Sequence, residues 1–307
     1  MIVLLLGTAA SGGFPQWNCT CAGCRLARRH PEEAKPRTQS SIAVSADGEH
    51  WFLINASPDF RVQIEANPEL QPRSTSVRSS VIEGVLLTSA DIQNVLGIFQ
   101  LREGSRLRVF GTPQIRTSVN AGLQMEAVMG QYCGVDWENV PEAPAPLMLA
   151  NGEKSGLLFS AISIPATAPR YTGEPAAAAG SGHLLAYLLV DQNTRKRVLV
   201  APQLPTMTGR ILGEFLTTDV LLVDGMFWSG DELALRTVRK VGASQLGYTA
   251  VSGKGGSLEA LSQSDASRKI YVHMNDTNPI LIENSFERES VTAAGVEVGY
   301  DGMKLTL

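Results

Sequence analysis

The chain has 307 residues, 44% of them hydrophobic and 18% charged, with mean hydropathy close to zero, which supports a large buried core and excludes a disordered chain. Lys and Arg number 26 against 30 Asp and Glu, a net charge of -4. No long basic run is present to follow a phosphate backbone, so nucleic acid is not an expected partner.

Residues 2–6 are apolar, no positive residue precedes them, and Gly7 ends the run after one strand's length. They read as a first β-strand rather than a signal peptide. No apolar run approaches the roughly 18 residues of a membrane span, so no membrane insertion and a cytoplasmic location are expected. Further strands are expected over 41–45, 51–55, 85–88, 107–110, 157–164, 184–190, 197–201, 220–224, 269–273 and 296–300. Helical periodicity runs over 115–129, 206–216 and 231–241, and another helix follows Ser285 with Arg288 in its first turns. Residues 175–180, with four consecutive alanines, read as a surface loop. Early strands lie close together, as in hairpins, and later ones alternate with helices. The expected fold class is therefore α/β (α+β), a layered αββα sandwich formed as one domain over 1–307.

Three of the four cysteines, Cys19, Cys21 and Cys24, fall within six residues, and Gly23 gives their turn its freedom. Thiolates on so short a loop converge on one face of a tetrahedral zinc. Buried free cysteines and a redox Cys-x-x-Cys are the competing readings, the second leaving Cys19 unexplained. The fourth ligand is expected from His273 or Asp276 in the polar turn after a strand, with His30 the local competitor. Gly7-x4-Gly12-Gly13 follows a strand but lacks the Lys and Ser/Thr of a P-loop, so it reads as a tight turn. Ser57 with Pro58 is placed to cap a helix, an alternative to a site role for Asp59. No serine has a nucleophile-elbow context.

Residues 6–19 (LGTAASGGFPQWNC), 37–43 (RTQSSIA), 55–59 (NASPD), 101–104 (LREG), 222–225 (LVDG), 273–279 (HMNDTNP) and 301–303 (DGM) together resemble the coenzyme PQQ synthesis protein B family, of the metallo-β-lactamase fold superfamily. The resemblance runs over nearly the whole chain and is weakest over 114–180. It implies the αββα sandwich and a structural zinc on the cysteine turn. Related phosphodiesterases complete that site with a residue three positions after the strand-end histidine, here Asp276. It also implies a role in pyrroloquinoline quinone formation, described for the family either as assisting transport or as metal-dependent oxygenation of a cross-linked Glu-Tyr precursor.

The departures from the family pattern bear on chemistry. The superfamily motif His-x-His-x-Asp-His falls here on residues 88–95, TSADIQNV, so its Asp-His pair has become Gln93-Asn94. Neutral amides are poor ligands for a divalent transition metal. A family Gly-His pair appears as Gly247-Tyr248. Of the four histidines only His273 falls on a motif position; His50 sits in a solvated turn and His183 at a strand entrance. The expected cleft residues are His273, Asp91, Asn94, Gln93 and Tyr248. His273 with Asp91, Asp59 and Asp224 allows one weak mononuclear site, so a second metal, iron or zinc, is expected only at a weakened active site. Lys254, Arg102 and Arg37 are candidates to receive ligand carboxylates, and Trp17, Phe227 and Trp228 to contact a planar ligand.

Three functions follow in order: a metal-dependent oxygenase on a small-molecule or peptide-derived tyrosine precursor, a catalytically degenerate member that binds or carries precursor, cofactor or partner protein, and last a hydrolase. A homodimer is compatible with each.

Overall fold

The computed structural model describes residues 1–73, 77–173, 180–236, 242–243 and 246–307. The chain forms two compact units, Met1–Leu6 with Ser41–Lys196 and Gly302–Leu307, and Gly7–Ser40 with Arg197–Asp301. Neither unit is one contiguous stretch of chain.

The first unit holds a seven-stranded mixed sheet in the order Met303–Thr306, Ile2–Gly7, Ser41–Ser45, Trp51–Ile54, Ile82–Leu86, Leu107–Gly111, Val135–Asn139. Its early pairs are antiparallel, including the 41–45/51–54 hairpin, and its later pairs are parallel. Trp51, Phe52, Leu53 and Ile54 are all buried, the signature of a strand covered on both faces. Three antiparallel strands, Ala145–Met148, Lys154–Ala166 and Gly180–Asp191, complete this unit. The second unit is a parallel set, Arg197–Ala201, Val220–Asp224, Arg268–Val272 and Glu297–Val298. Helix Gly209–Thr217 makes the first crossover and Phe286–Ala293 the last, as parallel pairing demands.

Several boundaries differ from the sequence reading, each for a local reason. The helix expected over 115–129 begins earlier, capped by Thr112, and breaks into Pro113–Leu123 and Met125–Met129 because Gln124 adopts a left-handed φ of 49°. The 206–216 helix starts at Gly209, where Thr208 Oγ1 accepts the Ile211 N–H. Ser57 does not cap: the helix is Phe60–Ala66, and Ser57 Oγ accepts the Asp59 N–H while donating to Gln63 Oε1. Helix Glu232–Arg236 covers the start of 231–241, and the rest of that expectation, like most of the 175–180 loop, lies outside the described residues. Ser285 caps Phe286–Ala293 through the Arg288 N–H, as the sequence suggests. The cysteine turn carries a helix that periodicity does not reveal, Ala22–Arg29. No helix among the described residues is long and apolar enough to cross a membrane.

Candidate metal centre and functional site

Cys21 is the N-cap of helix Ala22–Arg29, and its Sγ accepts the Cys24 N–H at 3.4 Å. Cys19 Sγ accepts the Cys21 N–H at 3.3 Å, and Cys24 Sγ accepts the Gln16 N–H at 3.4 Å. Backbone donors aimed at sulfur favour the thiolate form that ligates metal. Asp276 Oδ2 approaches Cys24 Sγ at 3.3 Å and Cys21 Sγ at 3.9 Å. One ligand atom from each of Cys19, Cys21, Cys24 and Asp276 falls within 4.8 Å of all the others. Gly23 lies within this helix rather than in a turn that needs its freedom, and it allows a close approach: a Cβ on it would stand 3.2 Å from the Asp276 carbonyl oxygen and 3.4 Å from the Phe14 ring.

The Cys21 thiol is lowered to about 6, chiefly because Cys24 donates to it, against the opposing effect of burial. That same bond drives Cys24 upward, and burial raises Cys19 to about 11. Three sulfurs and one carboxylate oxygen suit a tetrahedral zinc. His273 and His30 are not part of this set. His30 sits with Glu32 and Glu33 in the other group of convergent donors among the described residues, fully on the surface.

The Asp276 loop starts at His273, which leaves strand Arg268–Val272 with a left-handed φ of 57°. His273 Nδ1 meets Asp224 Oδ1 at 3.2 Å, and both side chains are buried. Asp224 also accepts the N–H groups of Leu204 (2.9 Å) and Met226 (3.1 Å); burial nevertheless raises its carboxyl above the ordinary value. The Tyr248 ring lies 6.2 Å from the His273 ring, tilted by 32°, and packs edge-on against Phe227. Beyond His273 the loop is fastened at each step. Ala10 N–H donates to the Met274 carbonyl, Asn275 N–H to that of Met226, Thr277 Oγ1 to buried Glu232, and Asn278 Nδ2 to the Gly225 carbonyl.

In the other unit, the degenerate motif forms a network of amides and hydroxyls. Asn94 Nδ2 donates to Ser89 Oγ at 2.8 Å and Thr88 Oγ1 at 3.4 Å. Asn55, at φ 62°, gives its Nδ2 to Thr88 Oγ1 and takes the Thr88 N–H on its Oδ1. Gln93 is buried beside Asn94, Asp91 stands half-buried at the N-cap position of helix Ile92–Val95 without a side-chain cap bond, and Tyr171 donates to the Ala90 carbonyl at 2.5 Å. Sequence reasoning marked Gln93, Asn94 and Asp91 but missed Asn55, Thr88, Ser89 and Glu232. Asn is among the few side chains that tolerate a left-handed backbone, the one available signal for Asn55.

Other candidates are placed away from ligand roles. Arg37 is 4% exposed and bonds the carbonyls of Gly299 and Lys35, which makes it a scaffold residue rather than a carboxylate receptor. Phe227 is core, packed with Leu233 and Ala243. Arg102 is exposed, over the Tyr132 ring and beside Glu103; Lys254 is exposed on its loop. Half-exposed His50 pairs with Asp47, and His183 lines a shallow depression with Pro113, Gln114 and Thr117.

Comparison with known proteins gives this geometry its family. A family model described as beta-lactamase superfamily domain matches residues 50–274. Coenzyme PQQ synthesis protein B of Methylococcus capsulatus is 39% identical, with all of both chains covered, and that of Cupriavidus necator is 36% identical over 99% of each. The chain belongs to the coenzyme PQQ synthesis protein B family. The crystal structure of Zn²⁺-bound PqqB from Methylobacterium extorquens superposes over the whole of both chains with a TM-score of 0.90 at 35% identity. A diphosphatase of the PhnP family, 16% identical with a TM-score of 0.67, shares the metallo-β-lactamase fold.

Proposed function

We propose that the chain serves in pyrroloquinoline quinone biosynthesis by binding a tyrosine-derived precursor, with zinc on Cys19, Cys21, Cys24 and Asp276 as a structural ion. The observation that carries this reading is the Asn94 amide bonded to the Ser89 and Thr88 hydroxyls. The motif position to which the family resemblance assigns an imidazole is here a neutral amide that donates to Ser89. Four protein ligands close a tetrahedral zinc and leave no position for substrate, which is the character of a structural site. The donors offered around the degenerate motif, amides and hydroxyls, do not fit a catalytic metal.

A second reading, a metal-dependent oxygenase on the same precursor, is favoured by one feature: Asp224 orients His273 through Nδ1, as carboxylates orient ligating histidines. Metal counting separates the two. Protein purified without added metal should hold one equivalent of zinc, lost in Cys21→Ser. A second equivalent of iron or zinc that survives Cys21→Ser and disappears in His273→Ala would establish the oxygenase reading instead. Calorimetric titration with the cross-linked Glu-Tyr precursor should show binding to the single-zinc protein; absence of binding there would overturn the carrier role.

A further inference from the structure

Trp17 is 83% exposed, although it sits in a loop fastened on both sides. The Arg28 guanidinium reaches from helix Ala22–Arg29 to the Gln16 carbonyl through Nη2 and to the Cys19 carbonyl through Nη1, each at 2.6 Å, so it brackets Trp17 and Asn18. Arg25 Nη1 holds the Thr20 carbonyl in the same way. The indole is thus presented by a preorganised loop, with its apolar faces left to solvent.

The charged side chains of the adjoining helix are all basic. No acidic residue occurs before Glu32, while Arg25, Arg28 and Arg29 lie on one exposed helical face, in a chain whose net charge is -4. The nearest acids in sequence, Glu32 and Glu33, pair with His30 at 3.3 and 3.9 Å and bound the patch at the helix C-terminus. Trp and Arg are the residue types that dominate protein interface energetics, Arg because its planar fork matches a carboxylate. A rigid mount removes part of the ordering cost of association.

We propose that Trp17 with the Arg25, Arg28 and Arg29 face is a docking surface for an acidic peptide segment of a partner protein, the indole anchoring an apolar side chain and the guanidiniums receiving its carboxylates. Arg25 and Arg28 also hold the cysteine turn, so the decisive variants are Trp17→Ala and Arg29→Gln, which remove no hydrogen bond described above. The proposal is independent of the precursor-binding reading.

The test is fluorescence anisotropy of the zinc-loaded full chain with a labelled peptide of alternating Glu and Leu. Saturable binding that weakens with added salt and falls about tenfold in each variant, with zinc content and melting temperature unchanged, is the expected result. The Gln-for-Glu peptide should bind far less well. Three outcomes overturn the proposal: no binding of the acidic peptide, equal binding by both variants, or a single-stranded oligonucleotide binding the same face more tightly than the peptide.

Discussion

His273 Nδ1 faces Asp224 Oδ1 at 3.2 Å, and the same carboxylate accepts two backbone N–H groups, from Leu204 and Met226. Asp224 therefore ties three segments of one unit together in a fully buried position. In Asp224→Asn one oxygen becomes an NH₂ facing donors, leaving at least one buried N–H without its acceptor. A loss of about 1–3 kcal/mol follows. Urea unfolding should show a lower midpoint at unchanged slope, whereas an unshifted midpoint would mean that these bonds contribute nothing net.

The cysteine turn should behave as a unit. If the proposed zinc is held by these four residues, its binding energy is also folding energy, and Asp276→Asn and Cys21→Ser should each lower stability by about 3 kcal/mol or more. For a chain of this size that is a fall of about 6 °C or more in melting temperature. Cys133→Ser is the control, because Cys133 stands outside the cluster. Equal melting curves for Cys21→Ser and Cys133→Ser would contradict a structural zinc.

Restoring the lost donors tests the amide network. Gln93→Asp with Asn94→His places a carboxylate and an imidazole at the two motif positions. The double variant should hold metal more tightly than the native chain by elemental analysis. Failure of the double variant to gain metal would show that more than these two side chains separates this chain from a metal-binding relative.

The convergence of the cysteine turn was legible because it is local, three thiols in six residues, and only Asp276, which the structure brings beside them, had to be supplied from far along the sequence. The layered fold was legible from the switch between hairpin spacing and βαβ spacing. What stayed hidden depends on contacts between distant segments. Asn55, Thr88 and Ser89 are ordinary polar residues until the chain brings them to Asn94. Helix Ala22–Arg29 carries only two buried residues, Cys24 and Ala27, so it has almost no apolar stripe to detect. The break at Gln124 is similarly invisible, since Gln carries no turn signal and periodicity continues across it.

Gly97 exposes the same limit from the packing side. A Cβ built there would lie 2.3 Å from the Ser57 carbonyl oxygen and 2.8 Å from the Ala56 carbonyl carbon, while the Gly97 N–H already bonds the Ala56 carbonyl. The three nearest atoms are all backbone, so no flexible side-chain end can move aside to relieve the clash. Gly97→Ala should cost about 2–3 kcal/mol, comparable with other cases of core overpacking. Reduced soluble yield and a lower urea midpoint would show it; a native-like midpoint would mean the 55–57 segment shifts without cost.

The turn between strands Ser41–Ser45 and Trp51–Ile54 should respond to pH at both ends. Asp47 Oδ2 meets His50 Nδ1 at 2.7 Å, and Asp47 Oδ1 accepts the N–H groups of Glu49 and His50 and the Ser45 hydroxyl. Burial alone would raise the Asp47 carboxyl, but those bonds outweigh it and hold it at about 2, while the Asp47 side chain raises His50 above 6.5. A depressed acid contributes stability above its unfolded value of 3.8, lost as pH falls toward 2. A raised histidine contributes stability fully below 6.5, lost as pH climbs through its folded value. The turn is therefore most stable between these two unfolded values. Both side chains are more than a third exposed, so solvent screening keeps the contribution small. Imidazole proton shifts followed by NMR should give His50 a titration midpoint above that of a model peptide, returning to the peptide value in Asp47→Asn. A midpoint at or below the peptide value in the native chain would rule the pair out.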